Sequence, residues 1–303
     1  MRLPGYLPRA LIVFGALSLV LAQIPPGLAA PGKINITDDV GRTVSLGQPA
    51  QRIVSLAPHV TELLFEVGAG RQIVGAVEYS DYPAAAKELP RIGSANRIDV
   101  EKTISLKPDL IVAWHSGNSL QDLQTLSRFG IPVFYSEPRK LTDIAGNMER
   151  LGTLAGHEAG AIKKADEFRE QLHRLDVEYR NKPRVSVFFQ LWHQPLMTIN
   201  DEHIISDVIR HCGASNVFAE LKALTPAVSR EAIIERKPQA IVATDISPGD
   251  LRKDWGRYTQ VPAVRTKNYF VLSADLLHRQ GPRLIHGVEQ FCRAMDTARS
   301  KKQ

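Results

Sequence analysis

AGAIKKADEFREQLHRLDVEY, residues 159–179, is the stretch on which the predicted fold depends. Its apolar side chains recur in steps of three and four: Ile162, Ala165, Phe168, Leu172 and Leu175. This spacing predicts an amphipathic helix with charged residues on its other faces, and Pro183 lies just beyond its end. The stretches on either side are of similar size, and each alternates short apolar strands with helical segments. The helix is therefore interpreted as a stiff connection between two lobes, with an ordinary surface helix of one large domain as the alternative.

The two flanking stretches contain a repeat. Residues 99–114, DVEKTISLKPDLIVAW, match residues 229–244, SREAIIERKPQAIVAT, at a constant offset of 130 positions, and about half the positions are identical. Asp99 or Ser229 can cap a helix, the Lys-Pro pair ends it, and a buried parallel strand follows. We interpret the repeat as the signature of two similarly built lobes. A chance likeness between two common helix–strand units is the alternative.

The predicted fold is an α/β protein with two Rossmann-like lobes, one long rigid helix joining them, and a ligand cleft between the lobes. The predicted boundaries are a signal peptide over residues 1–30, an N-terminal α/β lobe over 31–156, a linking helix over 157–182 and a C-terminal α/β lobe over 183–303. The predicted strands are 52–56, 73–77, 110–113, 131–135, 185–190 and 269–273.

Two local predictions in these lobes concern helices. Thr61 and Glu62 are expected to open the first helix, because Ala57 and Pro58 end the preceding strand. Residues 255–259 are expected to be irregular or a short helix.

The N-terminal segment has the pattern of a secretory signal peptide. Arg2 and Arg9 supply positive charge, an apolar run covers residues 10–22, and Leu28-Ala29-Ala30 offers small residues for cleavage. The apolar run is short for a membrane span, so an uncleaved anchor is the lesser alternative.

The composition is that of a soluble globular protein. The chain has 303 residues, 44% hydrophobic and 23% charged, enough for two sizeable cores. Its formal net charge of +6 and pI near 9.3 do not indicate nucleic-acid binding, because no basic block is interleaved with aromatic residues.

The chain has two cysteines, Cys212 and Cys292. In a secreted protein an even count favours a disulfide bond, and this one would link the C-terminal lobe to itself. Two buried free thiols are the alternative.

Motifs for catalysis are missing from the sequence. There is no glycine-rich phosphate loop after a strand, no Gly-x-Ser-x-Gly elbow, no His-Glu-x-x-His pair and no close cysteine pair for zinc. His59, just after the first strand, is the better metal candidate among the histidines, but a surface or core role is favoured for each. We therefore predict no enzyme activity, no resident cofactor and no metal site.

Residues suited to binding follow the predicted strands, where ligands of open α/β sheets lie. They are Tyr79, Trp114, Trp192, Met197 and the stretch Asp275-Leu276-Leu277-His278-Arg279. Aromatic rings suit a large, partly apolar ligand, and the acid and the arginine can hydrogen-bond its polar groups. In the alternative, the two tryptophans belong to the core and Asp275 pairs with Arg279.

Several motifs together resemble those of a known family: RIVSLAPHVTEL, VEYSDYP, LKPDLIVAWHSGN, HCGASNVF and VSREAIIERKPQAIV, spread from Arg52 to Val242. The chain resembles the periplasmic cobalamin-binding proteins of ABC importers, within the wider family that binds iron-siderophores, haem and corrinoids. The likeness extends from Arg52 to about Met295. It implies two α/β lobes on one long helix, a periplasmic location, a corrinoid as transported ligand, and an inner-membrane ABC permease with its ATPase as partner.

The resemblance also implies roles for individual residues. Tyr79 would stack near the corrin ring, Trp114 would line the cleft, and residues 275–279 would contact the ligand. Glu101 and Glu231 match the acids, one on each lobe, that dock onto permease arginines. Cys212 and Cys292 match the disulfide positions of the family. We expect a monomer that does not bind nucleic acid and is not directly inserted in the membrane.

The sequence departs from the family pattern at Ala95 and Thr225, where two cleft tryptophans are expected. Trp192 or Met197 is a candidate to fill part of that space. The departure leaves a shortened corrinoid or a haem as alternative ligands, and His59 or His278 would then be the axial ligand to haem iron. A ferric-siderophore binder of the same fold and, less favoured, a secreted metalloenzyme are the remaining alternatives.

Overall fold

The computed structural model describes residues 33–301 together with Met1 and Gly5. The predicted signal peptide, residues 1–30, therefore lies outside the described residues except at those two positions. Among the described residues, no helix combines the length and the apolar character needed to cross a bilayer.

The first lobe is built on a four-stranded parallel sheet. Its elements in chain order are β1 (Ile34–Thr37), β2 (Thr43–Leu46), β3 (Ile53–Ser55), α1 (Pro58–Glu66), β4 (Ile73–Ala76), β5 (Gly93–Ser94), β6 (Arg97–Ile98), α2 (Val100–Ser105), β7 (Leu110–Trp114), α3 (Leu120–Arg128) and β8 (Val133–Ser136). The sheet has the strand order β4-β3-β7-β8. β1 and β2 form a separate antiparallel hairpin, and β5 and β6 form another.

Two helices lie between the two sheets along the chain, α4 (Leu141–Ala155) at the end of the first lobe and α5 (Glu158–Tyr179) after it. The predicted long helix is α5. Of its predicted apolar stripe, Ile162 is 42% exposed and Ala161 is buried instead. A Cβ on Gly152 of α4 would lie 2.1 Å from the Cβ of Ala161, so the two helices touch through their smallest side chains. This close approach turns the buried stripe of α5 toward Ala161.

The second lobe repeats the architecture of the first. Its elements are β9 (Val185–Gln190), β10 (Trp192–His193), β11 (Leu196–Met197), α6 (Ile204–His211), β12 (Ala214–Asn216), α7 (Arg230–Arg236), β13 (Ala240–Ala243), α8 (Pro248–Trp255), α9 (Pro262–Arg265), β14 (Tyr269–Val271), α10 (Ala274–Leu277) and α11 (Leu284–Ser300). The sheet is parallel with the order β12-β9-β13-β14. Numbered along the chain, the strands of both sheets lie in the order 2-1-3-4.

The sequence repeat is also a structural repeat. Asp99 caps α2 by accepting the backbone N–H of Lys102 at 2.9 Å, and Ser229 caps α7 in the same way at 3.1 Å. Lys107 and Lys237 follow their helices in the left-handed region, with φ of 49° and 48°. Each Lys-Pro pair thus turns the chain from a helix into the third strand of its sheet, as the repeat predicted.

One local prediction was wrong. α1 begins at Pro58 rather than at Thr61, because proline is well accommodated in the first turn of a helix, where its missing N–H is not needed. Residues 256–259 are irregular, as predicted, and they follow the end of α8 at Trp255. The start of α8 at Pro248 was not predicted; Ser247 caps it by accepting the N–H of Asp250. The helix α4 was not predicted.

The largest apolar core runs through both lobes and the two connecting helices, from Ile53 of β3 to Val187 of β9. Two smaller cores cover the other face of each sheet. The predicted disulfide bond joins Cys212, at the end of α6, to Cys292 of α11, which excludes the free-thiol alternative. It closes a loop of 80 residues, worth roughly 4 kcal/mol in the chain-entropy account.

Candidate functional site

Both sheets have a point at which the strand order reverses, between β3 and β7 in the first lobe and between β9 and β13 in the second. In open α/β sheets, ligands bind beyond the carboxyl ends of the strands at such a point. Trp114 ends β7, and Leu191 directly follows β9. Because both residues line one cavity, the two reversal points face a common space between the lobes.

This cavity has a volume of about 320 Å³, within the range of ~300–1,000 Å³ that is typical of small-molecule sites. Both lobes contribute to its wall, which confirms the predicted cleft between them. The lining residues are Trp114, Ser116, Leu191, His203, Ile204, Leu224, Thr225, Leu277, His278 and Gln280. Three of them, Trp114, Leu277 and His278, were predicted to contact the ligand.

Trp114 is positioned by the loop that follows it. The side-chain oxygen of Asn118 accepts the backbone N–H of Trp114 at 2.7 Å, and its amide nitrogen donates to the carbonyls of Leu56 and Ala95 at 2.8 and 2.9 Å. A Cβ on Gly117 would lie 1.9 Å from the indole, so only glycine allows this packing. The loop therefore fixes the indole at the cavity wall.

His59 packs edge-on against Trp114, with ring centroids 5.5 Å apart and planes at 89°. Its side chain is buried, and its Nε2 lies 3.5 Å from the hydroxyl of Ser136. Burial lowers the pKa of His59 to about 3, so the ring is neutral at physiological pH. His59 does not line the cavity, and the structure places it behind the site as packing for the indole.

Tyr79 and Trp192 are exposed aromatic residues beyond the carboxyl ends of β4 and β9. Tyr79 is 76% exposed and has a φ of 63°, a strained conformation for a bulky residue and one enriched at functional sites. Trp192 is 48% exposed and pairs with Met197 in the β10–β11 hairpin, so it is not a core residue. Tyr79, Trp192 and Met197 do not line the cavity, and their contact with a ligand stays a prediction.

His203 and His278 bring two imidazoles to the cavity wall. His203 caps α6, where its Nδ1 accepts the backbone N–H of Ile205 at 3.2 Å. Burial lowers its pKa to about 4, so the ring is neutral at physiological pH. Because Nδ1 is the acceptor, the neutral ring carries its proton on Nε2. In His278, Nε2 lies 2.9 Å from the hydroxyl of Thr244, and burial lowers the pKa. The role of His203 was missed, because histidine is not among the residue types preferred at a helix N-cap.

Gln280 and Leu191 are two further cavity residues that the sequence did not single out. Gln280 is only 8% exposed, and its Oε1 has no hydrogen-bond partner among the described residues. It directly follows the predicted stretch Asp275–Arg279, which is the one sequence signal that points to it. Leu191 directly follows a predicted strand, the same argument that identified Trp114.

Five charged residues form a network across the lobes, here called the interlobe ion network. Glu62 and Asp81 belong to the first lobe, and Asp275, Arg279 and Arg283 belong to the second. Arg283 donates to both carboxylate oxygens of Glu62, at 2.6 and 2.9 Å, and Arg279 donates to Glu62 at 3.0 Å and to Asp81 at 2.6 Å. The side chain of Glu62 is only 2% exposed.

Asp275 completes the network through Arg279 at 2.8 Å and Arg283 at 3.0 Å. The predicted alternative, in which Asp275 pairs with Arg279, is thus part of the structure. The hydrogen bond from Arg279 holds the pKa of Asp81 below its usual value. The network joins the two lobes beside the cavity, while a ligand contact by Asp275, Leu276 or Arg279 stays a prediction.

The two positions that depart from the family pattern lie at the cavity wall and at the loop that holds Trp114. Thr225 lines the cavity, and the carbonyl of Ala95 is bonded to the same Asn118 that holds Trp114. Small side chains at these positions leave room where the pattern expects indole rings.

Glu101 and Glu231 occupy equivalent places in the two lobes. Each is the second residue of its helix, α2 or α7, and each is exposed. The Glu231 carboxylate accepts hydrogen bonds from the backbone N–H of Glu231 and from Ser229, and these bonds lower its pKa. An acid in the first helical turn is also stabilised by the helix dipole, so this placement alone does not test the docking role.

A metal site is not evident in the part of the chain that the structure describes. No three histidine, cysteine or acidic side chains within residues 33–301 are grouped so that they could hold an ion. The cavity wall itself contains no carboxylate, lysine or arginine among its described residues.

Two parallel α/β lobes with a cavity at their facing strand ends define a two-lobed ligand-binding protein. The sequence pattern of the family described as "Periplasmic binding protein" matches residues 53–276. The chain therefore belongs to the periplasmic binding protein family.

Relatives within the family include the vitamin B12-binding protein of Vibrio vulnificus, 35% identical over 84% of this chain and 93% of the relative. The vitamin B12-binding protein of Yersinia pestis is 36% identical over 82% of this chain and 87% of the relative. The crystal structure of the periplasmic vitamin B12 binding protein BtuF of Vibrio cholerae covers 84% of this chain and 99% of its own, with 35% identity and a TM-score of 0.78. The periplasmic heme-binding protein BhuT has a TM-score of 0.74, with 83% and 99% coverage, but at 20% identity this likeness shows the fold alone.

Proposed function

We propose that the protein captures cobalamin or a related corrinoid in the periplasm and delivers it to an ABC permease with its ATPase. The proposal is supported by relatives named for vitamin B12 that are about 35% identical over most of both chains. The observation that carries it is the neutral cavity between the lobes, which combines an indole wall with neutral polar groups.

The absence of charge from the described cavity wall favours a corrinoid over a haem. A corrinoid carries neutral amides around its ring, whereas a haem carries carboxylates, and burying an unpaired carboxylate is costly. His203 and His278 do not offset this, because burial lowers the pKa of both and keeps their rings neutral. Ferric siderophores with anionic groups meet the same cost.

The histidines are also poorly placed as axial ligands of haem iron. Nδ1 of His203 is used to cap α6, and Nε2 of His278 is bonded to Thr244. His59 lies outside the cavity wall, against the indole of Trp114. To bind iron, His203 would have to give up its cap, because the proton on Nε2 would have to move to Nδ1, and His59 would have to leave the indole. His278 keeps Nδ1 free of hydrogen bonds to described residues, 3.9 Å from Asp245.

The delivery step is assigned to Glu101 and Glu231, one acid on each lobe, which would meet arginines of the permease. Export by the predicted signal peptide brings the protein to the periplasm, where it works as a monomer and carries its ligand without any chemical step. The domain boundaries proposed for this function are the two lobes over residues 31–156 and 183–303, joined through residues 157–182.

Calorimetric titration of the purified protein with cyanocobalamin, beside haemin, tests the proposal. We expect one-to-one binding of cyanocobalamin and weak or no binding of haemin. Trp114→Ala should weaken cyanocobalamin binding by about tenfold or more, because it removes a large apolar contact from the wall. Binding of haemin without cyanocobalamin would instead assign the protein to the haem branch of the fold.

A further inference from the structure

His203 lies where the start of α6 meets the cavity. It directly precedes α6, and its Nδ1 caps the helix by accepting the backbone N–H of Ile205 at 3.2 Å. The same residue lines the cavity from the second lobe, while Trp114 lines it from the first. Because the cap holds Nδ1, the imidazole has a defined orientation at the cavity wall.

The other ring nitrogen of His203 is an unused hydrogen-bond donor. A neutral imidazole has one donor and one acceptor nitrogen, so acceptance through Nδ1 leaves the proton on Nε2. Nε2 makes no hydrogen bond to a described residue. The unpaired described atoms that are closed to solvent include Nε1 of Trp114 and Oε1 of Gln280 but not Nε2 of His203, which is therefore accessible. Nε2–H is thus a donor open to a ligand in the cavity.

The surroundings of His203 preserve this donor. The cavity wall contains no carboxylate among its described residues, so the strongest protein acceptors do not compete for the proton. Burial, together with the nearby His278 and Arg139, lowers the pKa of His203 to about 4, so the ring keeps its neutral form at physiological pH. A ligand oxygen that reaches this part of the wall would therefore meet an unused N–H group.

We propose that Nε2–H of His203 donates a hydrogen bond to an oxygen acceptor of the bound corrinoid, so that His203 determines ligand affinity as well as capping α6. This inference rests on the proposed corrinoid function and deepens it. A corrinoid has such oxygens in two places, the carbonyls of its side-chain amides and the phosphate of its nucleotide tail. Both accept from a neutral imidazole N–H, and the charged phosphate accepts more strongly.

Two substitutions separate the cap from the donor. His203→Asn places an amide near the position of Nδ1, where its oxygen can still cap α6, and leaves no atom near the position of Nε2. His203→Gln places its amide near the position of Nε2, where its N–H₂ can still donate, and removes the acceptor near Nδ1. His173→Asn, at an exposed position of α5, is the control for the loss of a histidine.

The purified wild-type protein and the three variants are titrated calorimetrically with cyanocobalamin and with dicyanocobinamide, which lacks the nucleotide tail. Thermal unfolding without ligand measures the cap. We expect His203→Asn to bind cyanocobalamin about tenfold more weakly at an unchanged melting temperature. His203→Gln should keep most of the affinity and melt roughly 2–4 °C lower, and His173→Asn should match the wild-type protein in both measurements.

The two corrinoids identify the source of the acceptor. A loss in His203→Asn that is present with cyanocobalamin and absent with dicyanocobinamide supports the inference with the phosphate as acceptor, and a loss with both supports it with an amide carbonyl. Wild-type affinity in His203→Asn, or equal losses in His203→Asn and His203→Gln, would overturn the inference alone. Failure of the wild-type protein to bind either corrinoid would overturn the proposed function and the inference together.

Discussion

At the residue scale, the histidines around the cavity are governed by burial rather than by charge partners. Burial lowers the pKa of His59 to about 3 and that of His203 to about 4, from an ordinary value of 6.5. One ring supports the indole of Trp114 and the other caps α6, and both roles need a neutral imidazole. The folded protein therefore resists protonation that the unfolded chain accepts.

This burial predicts a loss of stability in mild acid. Above pH 6.5 His59 is neutral in both states and contributes no pH dependence. Below pH 6.5 the unfolded chain binds a proton that the folded protein does not bind until about pH 3. The free energy of unfolding should therefore fall across this window, by at most about 1.4 kcal/mol per pH unit for one such group.

Chemical unfolding at a series of pH values measures this slope. His59→Gln should make it shallower between pH 6.5 and 4.5, because glutamine does not titrate. His173→Gln, at an exposed position of α5, controls for the loss of a histidine. Equal slopes for the wild-type protein and His59→Gln would show that this ring does not control the acid response.

The sequence could predict only part of the site at this scale. Trp114 and His278 were found because strand ends in α/β sheets face the ligand, an argument that needs only local sequence. Gln280 lies at the wall because its neighbours contact the opposite lobe. His203 lies there because α6 packs beside the cavity. Such placements depend on the tertiary structure, and local patterns contain little information about them.

At the scale of elements, the segment between α10 and α11 binds the first lobe through the interlobe ion network. Glu62 and Arg283 are 221 positions apart in the sequence, and their side chains are only 2% and 16% exposed. No periodicity connects such residues, so the contacts between the lobes could not be predicted, whereas the pair of Asp275 and Arg279 within one lobe was among the alternatives. The repeat, by contrast, could be found from sequence, since capping and the Lys-Pro turn are local.

The difference between local sequence signals and tertiary contacts also explains which features of the helices were predicted. α5 was predicted from its stripe of apolar residues, and Ala165, Phe168 and Leu172 are buried as predicted. Only the first position was wrong, Ile162 instead of Ala161, because the contact of Ala161 with Gly152 of α4 is tertiary. α4 itself was not recognised, although its buried residues recur in steps of three and four.

Glu62→Gln should destabilise the protein by about 3 kcal/mol. The substitution leaves two largely buried arginines without their shared carboxylate, and removing one partner of a buried ion pair typically costs about 3–5 kcal/mol. Their contacts with Asp81 and Asp275 place the expected value at the lower end of that range.

Glu66→Gln is the matched control for this prediction. It lies on the same helix one turn later and belongs to an exposed pair with Lys164 at 3.2 Å, worth less than about 1 kcal/mol. Urea unfolding of both variants gives the comparison. Equally small losses would mean that the network contributes little to holding the lobes.

At the scale of the whole molecule, one apolar core spans both lobes and the connecting helices. The interlobe ion network adds a second connection beside the cavity. Two connections on a shared core favour a fixed relation between the lobes. This fixed relation would present Glu101 and Glu231 to the permease at a constant spacing.

The double variant Glu101→Lys/Glu231→Lys should lose binding to the corrinoid permease–ATPase complex of the same organism in proteoliposomes, and retain its affinity for cyanocobalamin. Under the proposed docking role, charge reversal would place lysines opposite permease arginines, and like charges oppose docking. Glu170→Lys/Glu178→Lys, on the exposed face of α5, is the control. A parallel loss of cyanocobalamin affinity would contradict the assignment of separate roles.

The central claim is that a corrinoid binds between the lobes at the facing strand ends. Anomalous diffraction from cobalt, measured on crystals grown with cyanocobalamin, tests it most directly. The account predicts a single cobalt peak per molecule in the cleft, between the side of Trp114 and the side of His278. A cobalt peak outside the cleft, or none at saturating ligand, would contradict it.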